Sequence, residues 1–362
     1  CFERTPLRIA YPDGTGLFLD AGAPIAAFAR AVLGNRAWTL RARIALLAAG
    51  TGWALRRFRC DPALTVAALT AGLPAAVRSE LIDPLCVAAL NTSSTEASAE
   101  VFLRVLKDAL FSGPGSADLL LPRTGLGALL PEPARLWLTN AGADVRLQHR
   151  VRSLAADGDA WSIDGERFDR VVLASTAIEA ARLTLDIAAP WSRSAAALRH
   201  EPIVTVYLRS HGTRLPAPML ALRSAERAPA QFVFDRGQLD GADGLLAFVI
   251  SGAREWVDRG MQATAEATAQ QARAELGAHL RGPLETVQTL TEKRATFRCT
   301  PGLDRPTMAI APGLHAAADH VAGPYPATLE GAVRSAHQAV RAFSPPAAGV
   351  NEARTAPPAA RR

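Results

Sequence analysis

The residues whose types and spacing suit chemistry lie near the end of the 362-residue chain. Gly313-Leu314-His315-Ala316-Ala317-Ala318-Asp319 reads as an apolar strand ending in a carboxylate. After a Gly/Pro turn, Pro326-Ala327-Thr328-Leu329-Glu330-Gly331-Ala332-Val333-Arg334-Ser335 reads as a helix opened by proline. Proline suits a first helical turn, where its missing N–H is not needed. The N–H groups of Ala327 and Thr328 would then point outward, unpaired, at the positive end of the helix dipole. Such an end receives an anion or an electron-rich ring edge. On spacing alone, an ordinary βα unit with an acidic strand end explains the same residues.

Other chemistries find little support. Cys1, Cys60, Cys86 and Cys299 stand far apart, so we expect a reduced, cytoplasmic chain with neither disulfide framework nor metal site. The seven histidines (149, 200, 211, 279, 315, 320 and 337) form no ligand spacing and read as surface or strand residues. No G-x-S-x-G elbow occurs, and the aromatic residues do not interleave with basic ones as a nucleic-acid surface would require.

The elements around these residues fall into blocks. The length favours two interleaved domains. From about 24 to 112 the pattern is helical. Within it, the apolar run Ile44 to Leu55 is bracketed by Arg41 and Arg43 on one side and Arg56, Arg57 and Arg59 on the other. Residues 1–60 carry nine arginines against Glu3, Asp13 and Asp20, so the net charge of +6 resides there. Twelve apolar residues rise about 18 Å as a helix, short of the ~30 Å hydrocarbon layer. The segment is either a buried helix or one lying in a membrane interface with Trp38 and Trp53 at the boundary. Between 118 and 185 an α/β pattern is predicted. It has a helix from Gly125 to Ala141, a strand from Val145 towards Leu154, and a doubly buried parallel strand at Val171 to Ala174. Residues 186–296 read as antiparallel strands with a helix from Arg254 to Leu276, and 344–362 as a disordered tail. The chain starts at Cys1 and enters a strand at once (Leu7 to Tyr11), which reads as a truncated gene rather than a lipoprotein.

The Asp319 strand end and the P-A-T-L-E-G-A-V-R-S helix resemble the C-terminal FAD signature of the amine oxidase and carotenoid desaturase superfamily. The likeness is greatest to its hydroxysqualene dehydroxylase branch. Three further stretches are similar to that branch: Asp83 to Thr92 (DPLCVAALNT), Asp118 to Arg123 (DLLLPR) and Glu292 to Phe297 (EKRATF). The resemblance runs to about residue 343. It implies an α/β fold: a glutathione-reductase-like FAD-binding domain, from 118–185 and 297–343, with an interleaved substrate domain. That second domain would be helical and membrane-facing over 1–117 and antiparallel over 186–296. It further implies that Asp319 bonds the flavin ribityl or pyrophosphate region, that the amides following Pro326, those of Ala327 and Thr328, approach the pyrimidine edge, and that the Val151 backbone meets the adenine. Two departures stand out. Ala318 replaces a usual glycine before Asp319, and the superfamily's opening βαβ unit with its G-x-G-x-x-G turn is absent, so weak FAD binding and little turnover are expected. The implied reaction is reduction of hydroxysqualene to squalene in hopanoid synthesis, at the inner face of the cell membrane. Asp83, Glu96 and Asp108 lie in or near the matching stretches, but none stands out as the acid. A phytoene-type desaturase, another amine-oxidase-like flavoenzyme, an inactive fragment and a lipid-binding surface module are the alternatives.

Overall fold

The computed structural model describes residues 2–19 and 22–343, apart from the side chain of Phe111. The stretch 344–362, expected to be a disordered tail, lies outside the described residues. The chain divides into two discontinuous units: Cys1–His149 with Arg199–Leu303, and Arg150–Leu198 with Asp304–Arg362.

The first unit begins with β1 (Phe2–Thr5) and a hairpin of β2 (Arg8–Ala10) and β3 (Gly16–Phe18). The Asp13 carboxylate fixes the turn by accepting from the Thr15 amide at 2.9 Å and its hydroxyl at 2.6 Å. Helices α1 (Pro24–Gly34) and α2 (Leu40–Leu55) follow. The Thr39 hydroxyl caps α2 by accepting from the Ala42 amide at 3.2 Å. Gly50 and Gly52 do not break α2; it ends before Arg57 and Phe58, both with left-handed φ. Trp38 and Trp53 are both buried, so neither is an interfacial anchor. The Trp38 indole donates to Glu80 at 2.7 Å, which satisfies its N–H inside the protein. Two short helices, α3 (Val66–Leu69) and α4 (Ala75–Val77), and a π turn lead to α5 (Asp83–Leu90) and α6 (Ala99–Phe111). Strand β4 (Leu119–Pro122) returns antiparallel to β1. The helix expected next is split at Leu130 into α7 (Leu126–Leu129) and α8 (Pro131–Asn140), in keeping with Pro131. No strand forms from Val145: Leu147 is exposed and Gln148 takes a left-handed φ, which interrupts an extended run.

The second unit opens with an antiparallel meander of β5 (Leu154–Asp157), β6 (Ala160–Ile163) and β7 (Glu166–Phe168). Asp164 and Gly165 both have positive φ, as a two-residue hairpin turn requires. Strand β8 (Val171–Leu173) and helices α9 (Ala177–Thr184) and α10 (Ala189–Ala196) follow.

Back in the first unit, β9 (His200–Arg209), β10 (Met219–Ala221), β11 (Phe232–Asp235) and β12 (Leu245–Ile250) precede the long β13 (Glu285–Phe297). Helix α11 (Arg236–Leu239) lies between β11 and β12. The antiparallel sheet runs β10-β11-β12-β9-β13. Alternation along β9 buries Val204, Val206 and Leu208 in one cluster with Ala265, Ala269, Ala272 and Leu276. These last four belong to α13 (Met261–Leu276), which Gly260 (φ 94°) separates from α12 (Arg254–Arg259). Small residues on α13 let the helix lie close on the sheet. Strand β13 pairs with β9 antiparallel along its length, with register shifts that absorb the irregular pairing.

The second unit closes with β14 (Ala309–Ala311), β15 (Leu314–Ala316) and α14 (Leu329–Arg341). Strand β15 pairs with β8 in parallel, Leu314 opposite Val171. Strand β8 is less enclosed than its sequence implies. Val172 is 36% exposed, and the other edge of β8 pairs with no strand among the described residues.

Candidate functional site

In the second unit, β15 carries the chain through buried Ala317 and Ala318 to Asp319, whose side chain is 41% exposed. The loop beyond folds back so that the Ala327 amide donates to the Asp319 carbonyl at 3.3 Å. Helix α14 starts at Leu329, three residues later than its proline implies. Thr328 is the true N-cap: its hydroxyl accepts from the Gly331 amide at 2.9 Å and donates to the Tyr325 carbonyl at 2.9 Å. Pro326 therefore belongs to the loop, and the Ala327 amide is used internally rather than pointing outward. The uncommitted donors at this helix end are those of its first turn, Leu329 and Glu330, which have no intrahelical acceptor. A Cβ at Gly331 would sit 2.0 Å from the Tyr325 carbonyl oxygen, so the close neighbour of this glycine is the loop itself. Ser335 pins the helix to the strand end by donating to the Ala318 carbonyl at 3.0 Å. Farther along, His315 Nδ1 bonds the Ala339 carbonyl at 3.1 Å.

His320 was missed by sequence reasoning, which left it among surface or strand histidines. It is 1% exposed, and neither ring nitrogen has a hydrogen-bond partner. The Asp319 carboxylate stands 3.8 Å from Nδ1, and the Trp191 ring meets the imidazole edge-on at 6.4 Å between centroids. Burying two polar atoms without partners costs roughly 1–3 kcal/mol each. Its place directly after the strand-ending carboxylate was the one signal available. Val151 is tied elsewhere: its carbonyl accepts from Arg182 Nη2 at 2.7 Å. Arg182 also donates to Glu179, and that bond holds the Glu179 carboxyl below its usual range. Direct bonds thus unite Asp319 and Ala327, with Thr328 adjoining, while Val151 is fixed through α9.

The three matching stretches of the first unit resolve into packing. Asn91, in left-handed conformation after α5, donates to the Thr296 hydroxyl at 3.0 Å and to the Glu201 carbonyl at 3.1 Å. Its side-chain oxygen accepts from the Gly252 amide at 2.7 Å. Two of the stretches therefore meet at one buried amide. Asp118, of the third, pairs with Arg4 at 2.8 Å. Glu96 pairs with Arg298 at 3.3 Å, beside the buried Glu201 that binds Arg254 and Arg298. Of the acids singled out by sequence, only Asp108 keeps a buried oxygen (Oδ2) without a partner.

The first unit also encloses a cavity of about 300 Å³. Helices α1, α2 and α6 and the β2–β3 hairpin wall it. Among its 21 lining residues, only Thr51 and Trp53 carry a polar side-chain atom. A space so lined is suited to a hydrocarbon ligand.

The chain belongs to the flavin-containing amine oxidoreductase family, whose model matches residues 69–343. Two curated relatives are the hydroxysqualene dehydroxylases of Sinorhizobium fredii and Rhodopseudomonas palustris, 28% identical over 282 residues and 30% over 278. Each alignment covers 72% of this chain, and the chain spans 60% of the length of either relative. Similar solved structures include an oxidoreductase from Methanosarcina mazei, with TM-score 0.65 and 12% identity over 94% of this chain and 87% of that one. Cyclohexylamine oxidase from Brevibacterium oxydans gives TM-score 0.64 and 14% identity over 94% and 82%. At such identities the likeness is one of fold, a mixed α/β architecture.

FAD is the cofactor of this family of oxidoreductases. The β15–α14 turn fits it on three counts. A half-exposed carboxylate can accept from ribityl hydroxyls, the first turn of α14 offers free N–H groups to an anion, and His320 has two nitrogens in want of a partner.

Proposed function

We propose that this chain acts as an FAD-dependent reductase that converts hydroxysqualene to squalene in hopanoid synthesis, working at the inner face of the cell membrane. The observation that carries this reading is the apolar cavity of the first unit. A substrate of an amine-oxidizing enzyme brings a nitrogen that needs a polar partner, and this lining offers almost none. The relatives named as hydroxysqualene dehydroxylases point the same way.

In the reaction, the allylic C–O bond breaks, a proton completes the departing water, and a C–H bond forms at the carbon that lost oxygen. Bound reduced FAD supplies the hydride and ends oxidised. Asp319 would hold the ribityl or pyrophosphate region, the loop after Pro326 and the start of α14 would face the pyrimidine edge, and Ala318 would line the site with a methyl where the family usually has a glycine. The Val151 backbone would meet the adenine. Because the sequence holds no G-x-G-x-x-G turn, the hold on FAD is weak, and excess cofactor is needed for a test.

The test is anaerobic incubation of the chain with dithionite-reduced FAD in excess and hydroxysqualene dispersed in detergent. Squalene above the level formed by reduced FAD alone is expected. Absence of squalene, with dehydrogenation of phytoene by oxidised FAD instead, would favour the desaturase reading.

A further inference from the structure

We infer that the outer face of α1 and α2 docks on an anionic bilayer, and that the cavity beneath it takes its ligand directly from the lipid through a mouth at Ile25, Gly50 and Thr51. This inference rests on the apolar-ligand reading above and adds the partner and the route of entry.

Helix α2 has two apolar faces. Ala42, Leu46 and Trp53 are buried, as an amphipathic helix requires. The opposite stripe, at steps of four, four, three and four, is Leu40, Ile44, Ala48, Thr51 and Leu55, all exposed. Leu40, Ile44 and Leu55 are 64%, 56% and 81% exposed. An ordinary surface helix places charge on its solvent side, but here no charged residue falls between Arg43 and Arg56. Helix α1 packs on α2 and adds exposed Ile25 and Leu33. The five α2 positions fall on one continuous stripe of the helix, so they are not a scatter of single residues.

Arginines supply the charge complement. Arg30, Arg36, Arg41, Arg56, Arg57 and Arg59 are all exposed on or beside these two helices, within the segment that carries the net +6. Among the described residues no helix is long and apolar enough to cross a membrane. A helix of 16 residues with arginines at both ends therefore lies in the interface, its leucines at the acyl boundary and its guanidiniums among phosphates.

The cavity lies directly under this face. Ile25 and Thr51 line it and are also exposed, so its mouth opens there. Gly50 lines it too, and a Cβ at that position would meet nothing within 4 Å. Packing does not demand a glycine there; its effect is to leave the opening clear. A hydrocarbon passing from acyl chains to this cavity would not cross water.

The test uses the full chain, vesicles of phosphatidylglycerol and phosphatidylcholine or of phosphatidylcholine alone, and squalene as probe. Flotation reports vesicle binding, and chromatography of the recovered protein reports squalene taken up. The wild type should float with anionic vesicles, at least tenfold less with phosphatidylcholine alone or in high salt, and remove squalene from them. Ile44→Glu with Leu55→Glu should abolish floating and uptake from vesicles, yet leave uptake from detergent micelles. Gly50→Phe should float as wild type and lose uptake from both sources. Equal binding to neutral vesicles, or no floating at all, would overturn the docking. Normal uptake by Gly50→Phe would overturn the mouth. Failure of the wild type to take squalene even from micelles would instead remove the apolar-ligand reading on which the route depends, while floating would still decide the docking.

Discussion

The amide of Ala327 donates to the carbonyl of Asp319 at 3.3 Å, closing the loop between β15 and α14. Seven residues lie between the two, and the bond fixes where the helix start stands relative to the strand-ending carboxylate. Ala327 makes it in left-handed conformation, φ 54°. A non-glycine residue there costs roughly 1–2 kcal/mol. Ala327→Gly should therefore raise stability by up to about 1 kcal/mol, and the β-branched Ala327→Val should lower it by about 1–2 kcal/mol. Urea midpoints of the two variants in opposite directions would establish the strain; a shared direction would exclude it.

Asp319 is half exposed, so replacing it should spare the fold. Asp319→Ala should leave the urea midpoint within about 0.5 kcal/mol of wild type. Loss of a charge-assisted bond to the ribityl or pyrophosphate region should weaken FAD binding on the order of tenfold or more. Fluorescence titration with FAD checks this, and unchanged affinity would place the flavin elsewhere.

His320→Leu separates a cofactor partner from a packing residue. Removing two unpartnered ring nitrogens from a buried place should stabilise the cofactor-free chain by about 1–3 kcal/mol. The same change should weaken FAD binding. A variant less stable without FAD and unaltered in affinity would make His320 a residue of the core alone.

Asn91 joins two stretches that the sequence flagged by resemblance. Asn91→Ala should cost about 2–4 kcal/mol, since it strands the Gly252 amide and the Glu201 carbonyl and places alanine at φ 49°. Asn91→Gly keeps the backbone free and loses only the bonds, so it should fall between. Equal losses in denaturation would assign the whole effect to hydrogen bonding.

Burial pushes the Cys86 thiol from 9.0 up to about 12. The folded state then holds this proton more tightly than the unfolded one. Its contribution is complete below pH 9 and fades as pH rises from about 9 towards 12. At pH 8, of the three cysteines among the described residues, a disulfide reagent should modify the partly exposed Cys60 first and leave Cys86 and Cys299 intact until the chain unfolds. Peptide mapping that found Cys86 labelled in the native protein would contradict its burial.

Much of this molecule was legible in its residues because local rules governed them. Gly142 ends a helix at positive φ, the Asp164-Gly165 pair makes a hairpin turn, and period-two alternation marks β9, whereas the break at Gly260 lay unread inside a segment expected to be one helix from Arg254 to Leu276. Failures arose where distant partners decide. Nothing local says that Trp38 finds Glu80, so the sequence leaves it and Trp53 between core and membrane boundary, and both are core. Val145 to Leu147 has strand composition but pairs with no strand among the described residues. At the site, the carboxylate and the helix were readable. The helix start was misplaced because Pro326 looked like a first residue, while Thr328 had the better capping hydroxyl. His320 could not be picked out, since only the folded core strips its nitrogens of water.

The most direct measurement of the central claim is a single turnover in D2O. The chain, in amounts comparable to hydroxysqualene, is mixed anaerobically with excess dithionite-reduced FAD, and squalene is examined by mass spectrometry. The flavin N–H that supplies hydride exchanges with solvent, so squalene should form carrying one deuterium, at the carbon that lost its oxygen. No squalene above the protein-free control, or squalene without deuterium at that carbon, would contradict a hydride-transferring reductase.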